Sequence, residues 1–397
     1  DNLPLQLTRF IGREREIGQV RQLVLAQRLV TLTGVGGIGK TRLALAVAQT
    51  LLEAFADGVW HVDLGALADP ALVESAVATV LGVREEGERP LLARLSDSLR
   101  ARHLLLLLDN CEHLAAAVRV LAETLLSAAP NVRILATSRV ALGATGEVIW
   151  RVPPLSTPDM SPWATPARRR DEGDLHDEVS ALAQFESVQV FADRAAAVLA
   201  TFAVTHKNAW AVARICQQLD GIPLALELAA ARIGVLTAQQ IADNLDDALP
   251  LLTHGRPTAL PRHQTLQATL DWSHALLKPP EQALFRRLAV FAGSFTLEAA
   301  EFVASGAGLE RAQVLDGLAG LADQSLVSVE EAGQTTRFRL HEVTRQYARA
   351  RLAEAGEEVE VRNRHLDFFS RLGESLEANL HGTLPPGAFE RLTQEYD

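Results

Sequence analysis

The stretch LVTLTGVGGIGKT, residues 29–41, joins a short run of apolar and β-branched residues to a glycine-rich segment. Its last eight residues, Gly34 to Thr41, fit the pattern G-x-x-x-x-G-K-[ST], and a helical pattern follows directly in KTRLALAVAQTLLEAF. A strand, a glycine-rich loop and a helix in this order separate a phosphate-binding loop from a chance glycine turn. The stretch therefore predicts an α/β domain with a phosphate-binding loop after its first strand.

Each part of this loop has a physical role in holding phosphate. Glycine lets backbone N–H groups turn toward phosphate oxygens, and the start of the helix adds partial positive charge. The glycines of the loop are Gly34, Gly36, Gly37 and Gly39. We expect Lys40 to reach the β- and γ-phosphates of a nucleotide, and the Thr41 hydroxyl to bind Mg²⁺.

Four more short apolar runs follow the first strand, and amphipathic helical stretches lie between them. They are VWHVDL (59–64), LLLLLD (104–109), RILATS (133–138) and VIWRV (148–152). Parallel strands need crossover connections of about a dozen residues or more, and buried parallel strands read as nearly continuous apolar runs. The pattern predicts a parallel sheet with helices on both faces, which is a P-loop NTPase domain, over residues 1–155.

The run LLLLLDNCEH, residues 104–113, supplies the acidic half of the expected site. Asp109 ends a strand at the same sheet edge as the loop, so we expect its carboxylate to hold Mg²⁺ through water. Asn110 can orient an attacking water by hydrogen bonding but cannot accept its proton. Glu112 could act as the base instead, or it could be an ordinary surface carboxylate. We therefore expect slow hydrolysis.

The next strand ends in ATSR, residues 136–139, at the same edge of the predicted sheet. A guanidinium group matches the oxygens of a phosphate, so Arg139 is a candidate to contact the γ-phosphate. The alternative is an arginine that points into solvent at the end of a strand. Spacing alone does not decide between the two.

Beyond residue 155 the alternation of strands and helices stops. Residues 156–180 mix proline, serine and clustered charge without periodicity, which indicates a linker. Short helical patterns predict a helical bundle over 181–255, and helices followed by two strands around the turn EAGQ predict a winged helix over 256–352. Residues 353–397 are typical of the start of a helical region that leads into repeats. Single helices are predicted at 181–200, 209–219, 224–233, 237–249, 263–277, 280–292, 296–304, 342–376 and 387–397.

Composition and charge exclude several classes of protein. The formal net charge of −11 argues against a surface built mainly for binding a nucleic-acid backbone. The two cysteines, Cys111 and Cys216, allow no disulfide framework beyond one bridge and suit a reducing compartment, so we expect a cytoplasmic protein. The apolar runs of the sequence are too short or too interrupted by charge to span a bilayer.

Six motifs stand in the order that is found in one family of nucleotide-dependent regulators. They are FIGREREI (10–17), GVGGIGKTR (34–42), LLLLLDNCEH (104–113), ILATSR (134–139), GIPLALELAAAR (221–232) and RLHEVTRQYA (339–348). With these motifs over nearly its whole length, the chain resembles the signal-transduction ATPases with numerous domains, the STAND class, in their NB-ARC-like form. It is most similar to the central ATPase module of bacterial LuxR-type and SARP-type transcriptional regulators.

The resemblance assigns roles to residues that spacing alone leaves open. Arg139 would sense the γ-phosphate of ATP, and Pro223 would contact the base or sugar. His341 stands where the family has a histidine that touches the β-phosphate of ADP, although here Leu340 and Glu342 replace the usual methionine and aspartate. The residues that would line the adenine pocket are Phe10, Ile11, Gly12 and Arg13, and those that would complete the loop contacts are Ile38 and Arg42.

The resemblance also implies a function, which is a switch that holds ADP when closed and ATP with Mg²⁺ when open, with weak ATPase activity. It implies an effector domain before residue 1, a helical-repeat sensor after residue 397, and self-association of the ATP-bound form. The main alternative is an ATP-controlled DNA-binding protein similar to origin-binding ATPases, in which the winged helix contacts a duplex. Charge favours the switch, because the helix before the predicted hairpin offers Arg311 and then the acids Asp316 and Asp323. A metabolic kinase would need an acceptor site, for which the sequence offers no candidate.

Overall fold

The computed structural model describes residues 1–6, 8–84, 89–160, 179–245, 266–324, 326–332 and 335–380. The chain divides into two units, the first with residues 1–216 and 221–234, and the second with residues 217–220 and 235–397. Most of the predicted linker and the predicted helix at 387–397 lie outside the described residues. The predicted domain limits stay predictions.

Five parallel strands form the sheet of the first unit, in the order β2-β3-β4-β1-β5. Their bounds are β1 Leu29–Thr33, β2 Val59–Asp63, β3 Leu105–Asp109, β4 Arg133–Thr137 and β5 Glu147–Arg151. Because all five strands run in one direction, the loops that follow them meet at a single edge of the sheet. This sheet confirms the predicted α/β P-loop class.

Burial of β3, an interior strand of the sheet, explains its run of leucines. The side chains of Leu104 to Leu108 are all fully buried, and successive residues of a strand face opposite sides of the sheet, so both faces are covered. On one face, Leu106 and Leu108 belong to the same buried cluster as Val118 and Leu121 of helix α5. The helices of this unit are α1 Glu14–Ala26, α2 Lys40–Thr50, α3 Val73–Leu81, α4 Leu91–Leu99, α5 Ala115–Ala128, α6 Glu186–Val198, α7 Ala209–Gln218, which continues into the second unit, and α8 Pro223–Ala230.

One helix of this unit is shorter than predicted. The sequence predicted a single helix over 181–200, whereas α6 begins at Glu186 and follows a separate helical turn at 179–182. The Glu186 N–H donates to the Ser156 hydroxyl (3.0 Å), and the Glu186 carboxylate accepts from the Ser156 N–H (3.1 Å). These bonds to a distant residue fix where the helix begins, and the local pattern could not reveal them.

The second unit contains a three-stranded antiparallel sheet in the order β6-β8-β7, which confirms the predicted winged helix. The strands are β6 Phe295–Thr296, β7 Ser328–Ala332 and β8 Thr335–Arg339. Strand β6 was not predicted, because two residues leave no alternating pattern in a sequence. The helices are α9 Ala238–Asn244, α10 Leu266–Ala275, α11 Pro279–Arg287, α12 Leu297–Ala304, α13 Arg311–Asp323, α14 Glu342–Glu354 and α15 Glu358–Leu380.

The helix predicted over 342–376 is divided into α14 and α15 by a turn. Gly356 adopts a left-handed conformation (φ 69°) just after α14, as is common where a helix ends. Glu357 follows, and its carboxylate accepts hydrogen bonds from Arg286 and Arg287 of α11 at 2.8 to 3.2 Å. The continuous helical pattern was therefore misleading at this point, because the turn is held by contacts with α11.

The contacts of Glu357 lead to a stability prediction. Arg287 is fully buried, so removing the charge of its partner leaves it poorly compensated, and we expect Glu357→Gln to lower the free energy of unfolding by about 3 kcal/mol. The hydrogen bonds from Arg286, together with those from Arg287, outweigh burial and hold the pKa of Glu357 at about 2, below the ordinary value of 4.5. A lowered pKa stabilises the fold above pH 4.5, and this contribution is lost as the pH falls toward 2.

Urea unfolding at several pH values measures this effect. The difference between the native chain and Glu357→Gln should shrink as the pH falls below 4.5. Glu360→Gln is the matched control, because Glu360 is exposed and its pair with Arg364 is long (3.7 Å), so we expect a change below about 0.5 kcal/mol. Equal effects of the two substitutions would contradict the prediction.

Within the ranges that the structure describes, no helix has the length and apolar character needed to cross a membrane.

Candidate nucleotide-binding site

The glycine-rich loop connects β1 to α2, and its conformation depends on glycine at three positions. Gly34, Gly37 and Gly39 have φ values of 151°, 83° and 92°, which side chains rarely adopt. A Cβ atom at Gly37 would lie 2.8 Å from the Cβ of Leu224, and the Leu224 N–H donates to the Gly37 carbonyl (3.2 Å). The loop is therefore in close contact with the start of α8, and Ile38 between Gly37 and Gly39 is buried.

Lys40, the first residue of α2, places its ammonium group inside the loop. Its Nζ donates to the carbonyl oxygens of Gly34 (2.8 Å) and Val35 (3.2 Å). Burial lowers the pKa of Lys40 to about 8, and the nearby charges of Glu112 and Asp109 oppose this shift while that of Arg139 adds to it. An ammonium group held in this way is placed for contact with phosphate oxygens.

Asp109 lies at the end of β3, next to the loop. It is 3% exposed, and its Oδ1 accepts hydrogen bonds from the hydroxyls of Thr41 (2.8 Å) and Thr137. Burial by itself would raise the pKa of this carboxyl, but His61 and the two hydroxyls lower it overall. The Nε2 atom of His61 lies 3.8 Å from Asp109 Oδ2. The carboxylate is therefore held in its charged form at the sheet edge.

Asn110 makes contacts that sequence reasoning did not foresee. It has a left-handed backbone (φ 63°), and its Nδ2 donates to Asp63 Oδ1 (3.0 Å) and to Asp109 Oδ2 (3.2 Å). Its backbone N–H donates to the Thr137 hydroxyl (3.0 Å). Asn110 thus holds two carboxylates from neighbouring strands, and its predicted role toward water stays a prediction. The missed residue, Asp63, ends β2 in register with Asp109, so the strand-end rule that found Asp109 would also have found it.

Glu112 and Arg139 form an ion pair beside Lys40. The Nε atom of Arg139 lies 3.3 Å from Oε1 of Glu112, and the two side chains are 2% and 5% exposed. The other carboxylate oxygen of Glu112 is buried and makes no hydrogen bond to any residue in the described part of the chain. The structure therefore excludes a surface carboxylate and a solvent-facing arginine, the two alternatives that the sequence left open.

A cleft of the first unit lies next to the loop and brings together half of the residues predicted to contact the nucleotide. The predicted residues that line it are Phe10, Ile11, Arg13, Ile38, Gly39, Arg42 and Pro223. Sequence reasoning missed Leu155, Val190, Arg194 and Glu227, which also line it. The missed residues come from three separate segments, and Glu227 is the one that lies within a quoted motif, GIPLALELAAAR. The contacts of the predicted residues with a base stay predictions.

Charged side chains fix one wall of this cleft. Glu227 Oε1 accepts a hydrogen bond from Arg194 Nε (2.9 Å) and lies 3.5 Å from an Arg42 nitrogen. The Arg42 guanidinium lies over the Phe10 ring, 5.7 Å from its centre, and donates to the carbonyl of Arg9 (3.0 Å). These contacts tie the segment around Phe10 to α2 and α8, and they give the cleft an aromatic face suited to a planar base.

Arg13 has a mainly internal role. It is 4% exposed and has a left-handed backbone (φ 66°), and its Nη2 donates to the carbonyls of Ile38 and Pro153, both at 2.9 Å. Its N–H donates to the Glu186 carboxylate (2.6 Å), and a Cβ at Gly12 would lie equally close to that carboxylate. The pair Gly12 and Arg13 therefore anchors the N-terminal segment against the loop and α6.

His341 belongs to the second unit and precedes α14. Its Nε2 lies 3.0 Å from the Ser328 hydroxyl, and its Nδ1 lies 3.7 Å from Oδ2 of Asp220. Sequence reasoning did not single out Asp220, whose other oxygen lies 3.6 Å from the Arg339 guanidinium.

The donors around the loop fit a magnesium nucleotide. Mg²⁺ prefers oxygen ligands and is commonly bound by one or two carboxylates together with substrate phosphates. The Thr41 hydroxyl and the Asp109 carboxylate lie 2.8 Å apart at the end of the loop, which is the kind of donor set that Mg²⁺ takes. Among the described residues, no cluster of three or more His, Cys, Asp or Glu side chains could hold a metal ion by itself.

Two family models match the chain. Residues 24–140 match an AAA domain, and residues 277–353 match a winged helix-turn-helix domain. Among solved structures, a Walker-type ATPase of Pyrococcus abyssi aligns over 88% of this chain and 99% of its own length, with a TM-score of 0.51 and 14% identity. This similarity supports the fold only.

Several bacterial proteins are similar over most of the chain. A Mycobacterium tuberculosis protein, the name of which proposes an HTH-type transcriptional regulator, is 42% identical over 357 residues, which are 90% of this chain and 37% of that protein. Regulatory protein AfsR of Streptomyces griseus is 30% identical, over 92% of this chain and 35% of its own length. The chain thus spans little more than a third of these two regulators.

A third relative is matched over most of its own length. This uncharacterized protein of Mycobacterium tuberculosis is 38% identical over 352 residues, which are 88% of this chain and 83% of that protein. Together with the P-loop site and the winged helix, this identity shows that the chain belongs to the family of these relatives, whose shared part carries a P-loop domain and a winged helix-turn-helix domain.

Proposed function

We propose that this chain is an ATP/ADP-dependent switch with slow ATP hydrolysis that controls a transcriptional or stress-signalling output. The observation that carries the proposal is the buried pair of Glu112 and Arg139 beside Lys40. A candidate base and a candidate phosphate sensor hold each other in this pair. Such an arrangement favours retention of a nucleotide over rapid turnover.

Binding would use the loop as follows. The Lys40 ammonium would exchange its loop carbonyls for the β- and γ-phosphate oxygens, and the loop N–H groups would point toward the same oxygens. Mg²⁺, held by Thr41 and Asp109, would neutralise charge on the phosphates. The cleft around Phe10 and Pro223 would hold the adenine and the ribose.

Hydrolysis needs a group that accepts a proton from the attacking water. Asn110 cannot do so, and its amide hydrogens already contact Asp63 and Asp109. The Glu112 carboxylate can do so only when Arg139 turns away from it toward a γ-phosphate. The sensing of ATP and the release of the base would then be one event, and it would limit the rate.

The resemblance supplies the rest of the proposed cycle. ADP would hold the closed resting state through His341, and ATP would favour an open state that self-associates. A ligand shifts such an equilibrium only by its difference in affinity for the two states. An effector domain and a helical-repeat sensor would complete the regulator, and the cytoplasmic location stays a prediction.

DNA binding by the winged helix is the weaker of the two candidate functions. Helix α13 begins with Arg311, but its guanidinium Nε lies 2.8 Å from the Glu301 carboxylate, which neutralises its charge. The acids Asp316 and Asp323 follow on the same helix. A duplex-binding helix would need positive charge here. Salt-dependent duplex binding by this chain would favour the DNA-binding alternative.

The first test measures what the chain retains. We expect protein purified without added nucleotide and then denatured to release about one ADP per chain. We also expect His341→Ala to weaken ADP binding by about tenfold and to change ATP binding by less than about twofold, because His341 is assigned to the ADP state. Isothermal titration with both nucleotides provides the comparison, with His206→Ala, at an exposed histidine, as the control. A nucleotide-free protein that rapidly hydrolyses added ATP would contradict the switch.

A further inference from the structure

The carboxylate of Asp220 contacts three groups of the winged helix within the second unit. It accepts a short hydrogen bond from the Glu342 N–H (2.6 Å) and lies 3.6 Å from the Arg339 guanidinium and 3.7 Å from His341 Nδ1. Its side chain is 11% exposed. His341 itself gives α14 no side-chain cap, so a residue more than a hundred positions earlier supplies the negative charge that the start of this helix favours.

These contacts determine how the His341 ring is held. Its Nε2 is 3.0 Å from the Ser328 hydroxyl, whereas its Nδ1 is buried and makes no hydrogen bond to a described residue. A neutral imidazole carries one proton. With that proton on Nδ1 the ring faces the Asp220 carboxylate favourably, and a shift of less than about 1 Å gives a normal hydrogen bond. The Asp220 carboxylate therefore favours a ring orientation in which a protonated Nδ1 faces it.

The residues directly after Asp220 belong to the first unit and contact its phosphate loop. The boundary between the units falls at Asp220 and Gly221, which have consecutive left-handed conformations (φ 49° and 62°). The Gly221 carbonyl accepts from the Leu155 N–H (3.1 Å), and a Cβ at Gly221 would lie 2.2 Å from the Leu155 carbonyl oxygen. Three residues on, the Leu224 N–H donates to Gly37 of the loop (3.2 Å). Five consecutive residues thus connect the loop to the Asp220 carboxylate.

We propose that Asp220 is the positioning residue for His341, and that the segment 220–224 transmits the state of the phosphate loop to the winged helix. This inference rests on the proposed function, in which His341 contacts the β-phosphate of ADP. A change at Gly37 moves Leu224, and the tightly packed Gly221 passes the movement to Asp220. The Asp220 carboxylate then either holds the His341 ring and the start of α14 or leaves both without their charged partner.

The test compares ADP and ATP affinities of four variants of the chain by fluorescence titration with labelled nucleotides. We expect Asp220→Ala to weaken ADP binding by about tenfold and ATP binding by less than about twofold. Asp220→Asn keeps an acceptor for the Glu342 N–H and tolerates the left-handed backbone, but it lacks the charge. We expect it to recover part of the loss and to bind ADP about threefold more weakly than the native chain. The two other variants are His341→Ala and the control Asp316→Ala, at an exposed carboxylate of α13.

The variants distinguish a failure of the role of Asp220 from a failure of the role of His341 in the switch. An unchanged ratio of ADP to ATP affinity in Asp220→Ala, with a reduced ratio in His341→Ala, overturns the role of Asp220 and leaves the switch standing. An unchanged ratio in both variants overturns the role of His341 in the switch, and the role of Asp220 with it. If Asp220→Ala does not fold, Asp220→Asn decides alone, and an unchanged ratio there overturns the proposal.

Discussion

Lys40→Ala is expected to abolish nucleotide binding, with a loss of affinity of at least about 100-fold for both ADP and ATP. The Lys40 ammonium lies inside the loop, where it donates to the carbonyls of Gly34 and Val35. Alanine removes the positive charge and leaves phosphate oxygens without their main charged partner. Alanine is also a good helix former, so the start of α2 should be preserved.

Equilibrium dialysis with radiolabelled ADP and ATP measures this loss. Lys207→Ala is the matched control, because Lys207 is exposed outside the loop, and it should bind both nucleotides as the native chain does. Circular dichroism and thermal unfolding of the two variants separate a lost contact from a lost fold. Native affinity in a folded Lys40→Ala variant would disprove the assignment of the phosphate loop.

Glu112→Gln is expected to have the second largest effect, a fall in ATP turnover of at least about 100-fold with ATP affinity changed by less than about threefold. Glutamine keeps the size of the buried side chain but cannot accept a proton from water. It also ends the ion pair with Arg139, so contact of this guanidinium with a γ-phosphate no longer requires that pair to break. This variant should therefore bind ATP with nearly native affinity but hydrolyse it much more slowly.

Single-turnover hydrolysis of radiolabelled ATP is sensitive enough for a slow enzyme. Glu53→Gln, at an exposed glutamate of the first unit, is the control and should hydrolyse ATP at the native rate. Unchanged turnover in Glu112→Gln, combined with faster turnover in Asn110→Asp, would mean that the base is missing from the native site. Hydrolysis would then be slow because of Asn110 and not because Arg139 holds Glu112.

The sequence was most informative where a local pattern carries the physical cause. Five strands, the loop from Gly34 to Thr41 and the winged-helix hairpin follow from hydrophobic periodicity, glycine placement and turn residues, all of which act over a few neighbouring positions. The helix limits that were predicted wrongly depend on contacts with residues that are distant in the sequence. The start of α6 depends on Ser156, and the break before α15 depends on Arg286 and Arg287, none of which lies near in sequence.

In the candidate site, too, some features follow from local patterns and others only from tertiary contacts. The sequence by itself determined the phosphate loop, Asp109 at a strand end and the P-loop class, because each depends on residue types at fixed short spacings. Only the tertiary structure decided that Glu112 faces Arg139, that Asn110 holds Asp63, and that Asp220 lies beside His341. These partners come together because the sheet order and the packing of the helices bring distant segments to one place, and a one-dimensional pattern does not contain that geometry.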